Sequence, residues 1–276
     1  MTSEITFWDD KRHIVFVLEL IFYSGLLLTA VAALSRRRHM GKSLTLGAIA
    51  VLKISGVGIS VHAATQTVDA VNSQDASKLP STGIVTAGAI LVSLASAPLI
   101  MLTRAFCPPD DLPDQLQRGA RTIMLLPAIL SIVGYNLWAN QDPSTDTGIA
   151  MAKASSILYL AVYLLFVIFG LYRYSQLHGR ATRVLTTGTC TVLLAMPFLI
   201  VRFVFIIISS FALDSDMTAY HKFSFFNGDW RASLSMFVVM EFMVELIYSV
   251  GLHLLITREW QHDRLTDAES FKREEI

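Results

Sequence analysis

The sequence predicts an all-α, polytopic membrane protein of seven transmembrane helices, with the N-terminus outside or luminal and the C-terminus cytosolic. Three observations point that way. Of 276 residues, 53% are hydrophobic and only 16% charged, and the mean hydropathy of +0.53 lies outside the range of ordinary soluble domains. Seven apolar stretches meet or approach the roughly 20 residues that a helix needs to cross about 30 Å of hydrocarbon. Lys and Arg crowd the short loops of one side, which marks that side as cytosolic. A formal net charge of zero points to no nucleic acid and no acidic partner, and leaves the lipid bilayer as the partner that composition implies.

The spans fall near 13 to 34, 43 to 63, 83 to 104, 121 to 139, 151 to 172, 185 to 211 and 232 to 256. The first is too long for a cleavable signal and lacks a small-residue cleavage site after it, so it reads as a signal anchor. In the second, Gly56, Gly58 and Ser60 face a similar series in the third, Gly83, Ala87, Gly88 and Ala95 to Ala97, which suggests close helix packing. The third, fourth and sixth contain Pro98, Pro127 and Pro197; each removes a backbone donor and is expected to kink its helix, a defect that a bundle tolerates when neighbours take up the freed carbonyl. Apart from its tyrosines, the fifth is the least polar after its first turn and is expected to carry little chemistry. Residues 1–257 thus read as a single seven-helix domain, and 258–276 as a short charged cytosolic tail, solvated or disordered.

Orientation rests on Arg36, Arg37, Arg38, Lys42, Arg104, Arg118, Arg121, Arg173, Arg180, Arg183 and the tail cations on one side, against Lys11, Arg12, Lys78, Lys222 and Arg231 on the other. The sixth loop, 214–231, carries Tyr220, Phe223, Phe225, Phe226 and Trp230, rings that either cap a cavity or form an interfacial belt. Cys107 and Cys190 sit in apolar settings and read as two inert thiols, with no disulfide between them. No Asn-X-Ser/Thr sequon is present, because Asn72-Ser73-Gln74 fails at its third position, and neither end carries a lipidation motif.

Ionisable side chains within hydrocarbon cost a few kcal/mol or more each and mark functional interiors. The spans hold Glu19, Lys53, Arg202, Glu241 and Glu245, with His62 and Asn136 near luminal ends. Counted at 1.5 Å per residue from the loops, Glu19, Arg202 and Glu241 share a level in the luminal half, with Lys53 and Glu245 near the midplane, so one cavity could hold all five. Glu241 and Glu245 lie four apart on one helical face, continued by Tyr248 and Leu252. Two carboxylates so close repel; without cations one takes up a proton, as a general acid must at neutral pH, while Arg202 and Lys53 hold the other ionised. The bland alternative is an ion-pair network that only pins helices together. His253 near the cytosolic end of the seventh span reads as structural, a cation suited to a helix C-terminus.

Seven helices invite a receptor reading, but fold does not imply function. The third span ends Leu102-Thr103-Arg104-Ala105, without the acidic residue that rhodopsin-like receptors place before the arginine, and the seventh has Glu245-Leu246-Ile247-Tyr248 instead of an Asn-Pro pair. No lysine lies between 232 and 256, which removes a retinal protein. A transporter stays open, although no inverted repeat is visible.

Several segments taken in order carry a resemblance. They are Leu18 to Tyr23 (LELIFY), Lys53 to Gly56 (KISG), Ala95 to Ile100 (ASAPLI), Leu194 to Arg202 (LAMPFLIVR), Phe226-Asn227, Met240 to Phe242 (MEF) and Ile247-Tyr248. In these the chain resembles a group of fungal seven-helix membrane proteins recorded mainly as a domain of unknown function. Lys53 stands where that group has arginine and Ser24 where it has proline, two departures that bear on the cavity. Proteins of this appearance include the membrane-bound terpene cyclases of ascofuranone-type meroterpenoid pathways. The resemblance implies a terpene cyclase of secondary metabolism, an isomerase in an endomembrane such as the endoplasmic reticulum, acting on a farnesylated aromatic whose terminal olefin has been epoxidised. Its catalytic set would be Glu241, Glu245, Arg202, Lys53 and Glu19, with Phe203, Tyr248, Asn227, Phe226 and Asn136 against the substrate.

The chemistry suits these residues. Cyclisation of an epoxyprenyl chain needs one acid, a dry apolar pocket and π faces for the developing cation, for which Phe203, Phe205, Tyr248 and the sixth-loop rings are candidates, worth about 0.5 to 2 kcal/mol apiece. No cofactor and no metal are expected, since the sequence has neither an aspartate-rich diphosphate motif nor a convergent His/Cys set. The competing expectation is a non-enzymatic seven-helix protein, receptor-like or transporter-like. Composition and motifs say nothing about the oligomeric state.

Overall fold

The computed structural model describes residues 7–35, 40–107, 114–139, 145–176, 183–212 and 229–274. Every regular element among them is helical. They are α1 (Lys11–Ser35), α2 (Met40–Ser73), α3 (Thr82–Leu94), α4 (Ser96–Phe106), α5 (Asp114–Ala139), α6 (Thr145–Gln176), α7 (Arg183–Ala212), the short α8 (Trp230–Ser233) and α9 (Val239–Glu274). Asp10 opens α1, its carboxylate accepting the Arg12 backbone N–H at 2.9 Å, a side-chain cap for an otherwise orphan donor. Among the described residues six helical stretches are long and apolar enough to cross a membrane, and the chain is an integral membrane protein.

Its surface is that of a bundle in lipid. Leu28, Ile21, Leu44 and Ile168 are exposed on helix faces while Lys53, Arg202, Glu241 and Glu245 are fully buried, the reverse of a soluble domain. Contacts run α1 to α2, α2 to α3, α3 to α5, α5 to α6, α6 to α7, α7 to α9 and α9 back to α1, a closed ring. Inside it sits α4, which touches α2, α5, α6 and α7. Ser96, Leu99, Ile100, Leu102, Thr103 and Phe106 of that short helix are all buried.

The third expected span, 83 to 104, is thus two helices instead of one. The break at Ala95 falls just after Leu94, the residue whose carbonyl Pro98 cannot take as donor and which its ring crowds. Ala95 keeps helical dihedrals and its N–H still reaches Leu91 O at 3.3 Å, so the chain bends and steps from the ring into the centre without unravelling. Pro127 and Pro197 lie inside unbroken helices.

The seventh expected span also differs from its sequence reading. Between α8 and α9, Leu234–Val238 forms a π turn, one extra residue in the helical circuit that re-aims the side chains on either side of it. At its other end α9 continues to Glu274, so 258–274, the segment read as a short charged tail, is helical.

The expected small-residue contact between α2 and α3 exists: a Cβ on Gly88 would lie 3.3 Å from Ser60 Oγ. Closer approaches lie elsewhere. A Cβ on Gly148 would meet Trp138 N at 2.7 Å and Gly134 O at 2.8 Å, so α5 and α6 touch backbone to backbone. One end of the bundle gathers the end of α4 with the start of α7 and the end of α6, since Cβ atoms on Gly188 and Gly170 would strike Phe106 and Cys107.

Candidate functional site

Near the middle of α2, Lys53 donates to Glu241 Oε2 at 2.5 Å. From α7, Arg202 Nη2 donates to the other oxygen, Oε1, at 3.0 Å, and its Nη1 donates to Ser96 Oγ at 3.1 Å. All of these side chains are fully buried. One carboxylate thus bridges two cations from two helices. Charge-assisted bonds of this kind are the strong ones, and removing one partner from a buried set leaves an uncompensated charge. Ser96 reaches Arg202 because it is the first residue of α4, just past the Pro98 break.

Phe237, in the π turn and one helical turn before Glu241, covers the pair. Its ring centroid is 4.7 Å from Lys53 Nζ and 4.9 Å from Arg202 Cζ, so both cations share one π face in addition to one carboxylate. The Tyr23 ring centroid is 5.6 Å from Lys53 Nζ. Glu19, one turn before Tyr23 on the inward stripe of α1, lies within electrostatic reach of Lys53, Glu241 and Arg202.

Glu245 is different. It sits one turn beyond Glu241 on the same face, is fully buried and is within electrostatic reach of Glu241, Lys53, Arg202 and Glu19. Neither of its oxygens has a hydrogen-bond partner among the described residues, nor do Tyr23 Oη and Arg202 Nε. A buried polar group without a partner costs on the order of 1 to 3 kcal/mol, more if charged, and calls for an explanation. Farther along the stripe, Tyr248 and Thr103 pair at 2.6 Å, and the Tyr248 ring stacks on Phe106 at 5.2 Å.

Of the residues singled out from sequence, Lys53, Arg202, Glu241, Glu245 and Glu19 come together. Phe203 packs beside them, 6.0 Å from Arg202 Cζ and 5.4 Å from the Tyr163 ring. Asn136 does not join the cluster: it is exposed on α5 and donates to its own Ile132 carbonyl at 3.0 Å. Phe226, Asn227 and the sixth-loop rings before Trp230 lie outside the described residues. Sequence reading missed Ser96, Tyr23 and Phe237. Tyr23 follows Glu19 by four and Phe237 precedes Glu241 by four, a spacing that could have flagged both. Among the described residues no three His, Cys, Asp or Glu side chains form a group that could hold a metal ion.

With this geometry in view, the chain belongs to the family described as a domain of unknown function, DUF7702, which it matches over residues 10–257. No curated protein and no solved structure matches it. The family's description carries no activity, and no characterised relative stands behind the likeness to terpene cyclases.

Proposed function

We propose that this member of the family is a membrane-bound cyclase that isomerises an epoxyprenylated aromatic or related terpenoid by acid-initiated cyclisation, with Glu245 as the proton donor. One observation supports this above the rest: Glu245 is a fully buried carboxyl with neither oxygen partnered, one turn from a carboxylate that takes both nearby cations. Three carboxyl groups converge on two cations, so a cluster without net charge holds one proton. Of the two carboxyls bound to neither cation, Glu19 and Glu245, we place that proton on Glu245, the more deeply buried of the two.

In the proposed reaction the Glu245 O–H gives its proton to the epoxide oxygen as the C–O bond to the more substituted carbon opens. The π electrons of the neighbouring olefin form the ring bond, and the final cation returns a proton to the Glu245 carboxylate. The product is an isomer of equal mass. Glu241 neutralises Lys53 and Arg202, which would otherwise oppose the carbocation. Tyr23, Phe203 and Tyr248 offer π faces, and the dry interior delays quenching by water.

The frame of the proposal is a seven-crossing protein of fungal secondary metabolism, in the endoplasmic reticulum or another endomembrane, with a luminal N-terminus. Within it α3 and α4 together make the third crossing: Thr82 to Phe106 spans about 37 Å at 1.5 Å per residue. The competing reading is a receptor-like or transporter-like protein whose ion cluster only pins helices. The double clamp favours such pinning for Glu241, but not for the unpartnered Glu245.

The test is mass spectrometry of products from microsomes of a fungal host expressing the chain and fed epoxyfarnesyl phenols. The expected result is an isomer of equal mass and new retention, lost in Glu245→Gln at unchanged protein level. No isomer from any epoxide or polyene, in correctly inserted protein, would overturn the proposal.

A further inference from the structure

Where α1, α2 and α9 meet, toward the end of α1, the seam between them opens into a half-open cleft of about 350 Å³. Its lining includes Ala33, Leu46, Ser249, Leu252, His253 and Ile256. The same three helices carry Tyr23, Lys53 and Glu245. Leu46 precedes Lys53 by seven residues and Leu252 follows Glu245 by seven. Two helical turns, about 10 Å, therefore separate cleft from cluster on nearly one face of each helix. Leu46, Leu252 and Ile256 are buried and give the cleft an apolar floor, while Val250 and Leu254 at its edge are exposed to what would be lipid. Its polar side chains are Thr29, Ser249 and His253, and the Thr29 hydroxyl donates to its own Leu26 carbonyl at 2.7 Å. That leaves Ser249 and His253 to meet a polar ligand group.

We propose that this cleft takes an amphiphile sideways from the bilayer, its polar aromatic head at Ser249 and His253 and its isoprenoid chain directed along the seam to the Glu245 carboxyl. The inference rests on the cyclase reading and adds the route and pose of its substrate. A cavity of this size is within the range of sites for drug-sized ligands, about 300 to 1,000 Å³. Its opening suits a molecule already dissolved in lipid, and its polar end lies near the cytosolic end of the bundle, where an amphiphile's head belongs. The buried acid two helical turns beyond the cleft, without a hydrogen-bond partner among the described residues, gives the chain's far terminus something to meet. From His253 to Glu245 is about 12 Å along α9, so the seam measures chain length: a three-isoprene tail reaches the acid from the cleft and a one-isoprene tail does not.

The experiment is photolabelling of membranes containing the full chain with a farnesyl phenol bearing a diazirine on its ring, followed by peptide mapping. Labels are expected on 29–33 and 249–256, at least tenfold reduced by excess unlabelled farnesyl phenol and by Ala33→Trp, which fills the cleft. They should be unchanged by Leu28→Trp on the lipid-facing side, and a diazirine phospholipid should not give the same pattern. In the same membranes, three-isoprene epoxides should be converted at least tenfold faster than one-isoprene epoxides. Should Ala33→Trp fail to insert, His253→Ala at the rim makes the same comparison. Labels scattered over all lipid-facing helices, equal labelling by the phospholipid, or undiminished isomer formation in an inserted Ala33→Trp would overturn the cleft as the substrate route. Specific labelling of the cleft with no isomer from any epoxide would sink the cyclase reading and keep the cleft as an amphiphile site.

Discussion

Where α5 meets α6, Gly134 and Gly148 bring two backbones together so closely that a Cβ on either would strike main-chain atoms of the other. Where α2 and α7 meet α9, Lys53 and Arg202 close instead on one carboxylate of Glu241. Lipid tails are as apolar as leucine, so helices in a membrane associate either through close van der Waals contact between small residues or through polar pairs. The first device costs little. The second carries two cations and three acids into a medium that penalises each of them, although the Ser156 and Ser210 hydroxyls, paired at 2.8 Å between α6 and α7, show that uncharged contacts can join helices here. The charged seam is thus more than the fold requires, and Glu245, without a hydrogen-bond partner among the described residues, is its least structural member.

Substitutions at the two contacts should separate them. The largest effect is expected from Glu241→Leu, which takes the shared carboxylate away from two buried cations. A loss of about 3 to 5 kcal/mol should appear as the greatest fall in melting temperature in detergent, together with loss of any isomer. Next comes Gly148→Leu, where overpacking against Trp138 and Gly134 costs about 1 to 3 kcal/mol. Its turnover per folded molecule, measured by active-site-independent quantitation of inserted protein, should stay at the wild-type value. Ser96→Ala removes one donor-acceptor pair of Arg202 and is expected to cost about 0.6 to 1.7 kcal/mol, with product formation reduced but not abolished. Asn136→Ala, on the exposed face of α5, should change stability by less than about 0.5 kcal/mol and leave product formation alone. A drop in product with Asn136→Ala would place it against the substrate.

Much of this was legible in the sequence. Apolar length alone predicted spans at 13 to 34 and 185 to 211, and α1 (Lys11–Ser35) and α7 (Arg183–Ala212) cover them, because lipid forces long uninterrupted helices. Depth counting placed Lys53, Arg202, Glu241, Glu245 and Glu19 within reach of one another, since a rise of 1.5 Å per residue converts sequence position into level. What level cannot give is azimuth. Which of the two glutamates takes both cations was open in the sequence, and the π turn at Leu234–Val238, which has no sequence signature, sets the rotation of α9 that decides it for Glu241. Pro98 marked a defect in the third span, but not that the chain would step there from the ring into the bundle's centre and deliver Ser96 to Arg202.

The decisive comparison is the melting temperature and isomer yield of Glu245→Gln beside Glu241→Gln. If Glu245 is a proton donor that holds no helix in place, its amide variant should melt with the wild type and lose at least about 100-fold in product formation, the range of a single general acid, while Glu241→Gln melts distinctly lower. A Glu245→Gln protein that melts as low as Glu241→Gln, or that still yields the isomer at the wild-type rate, would contradict it.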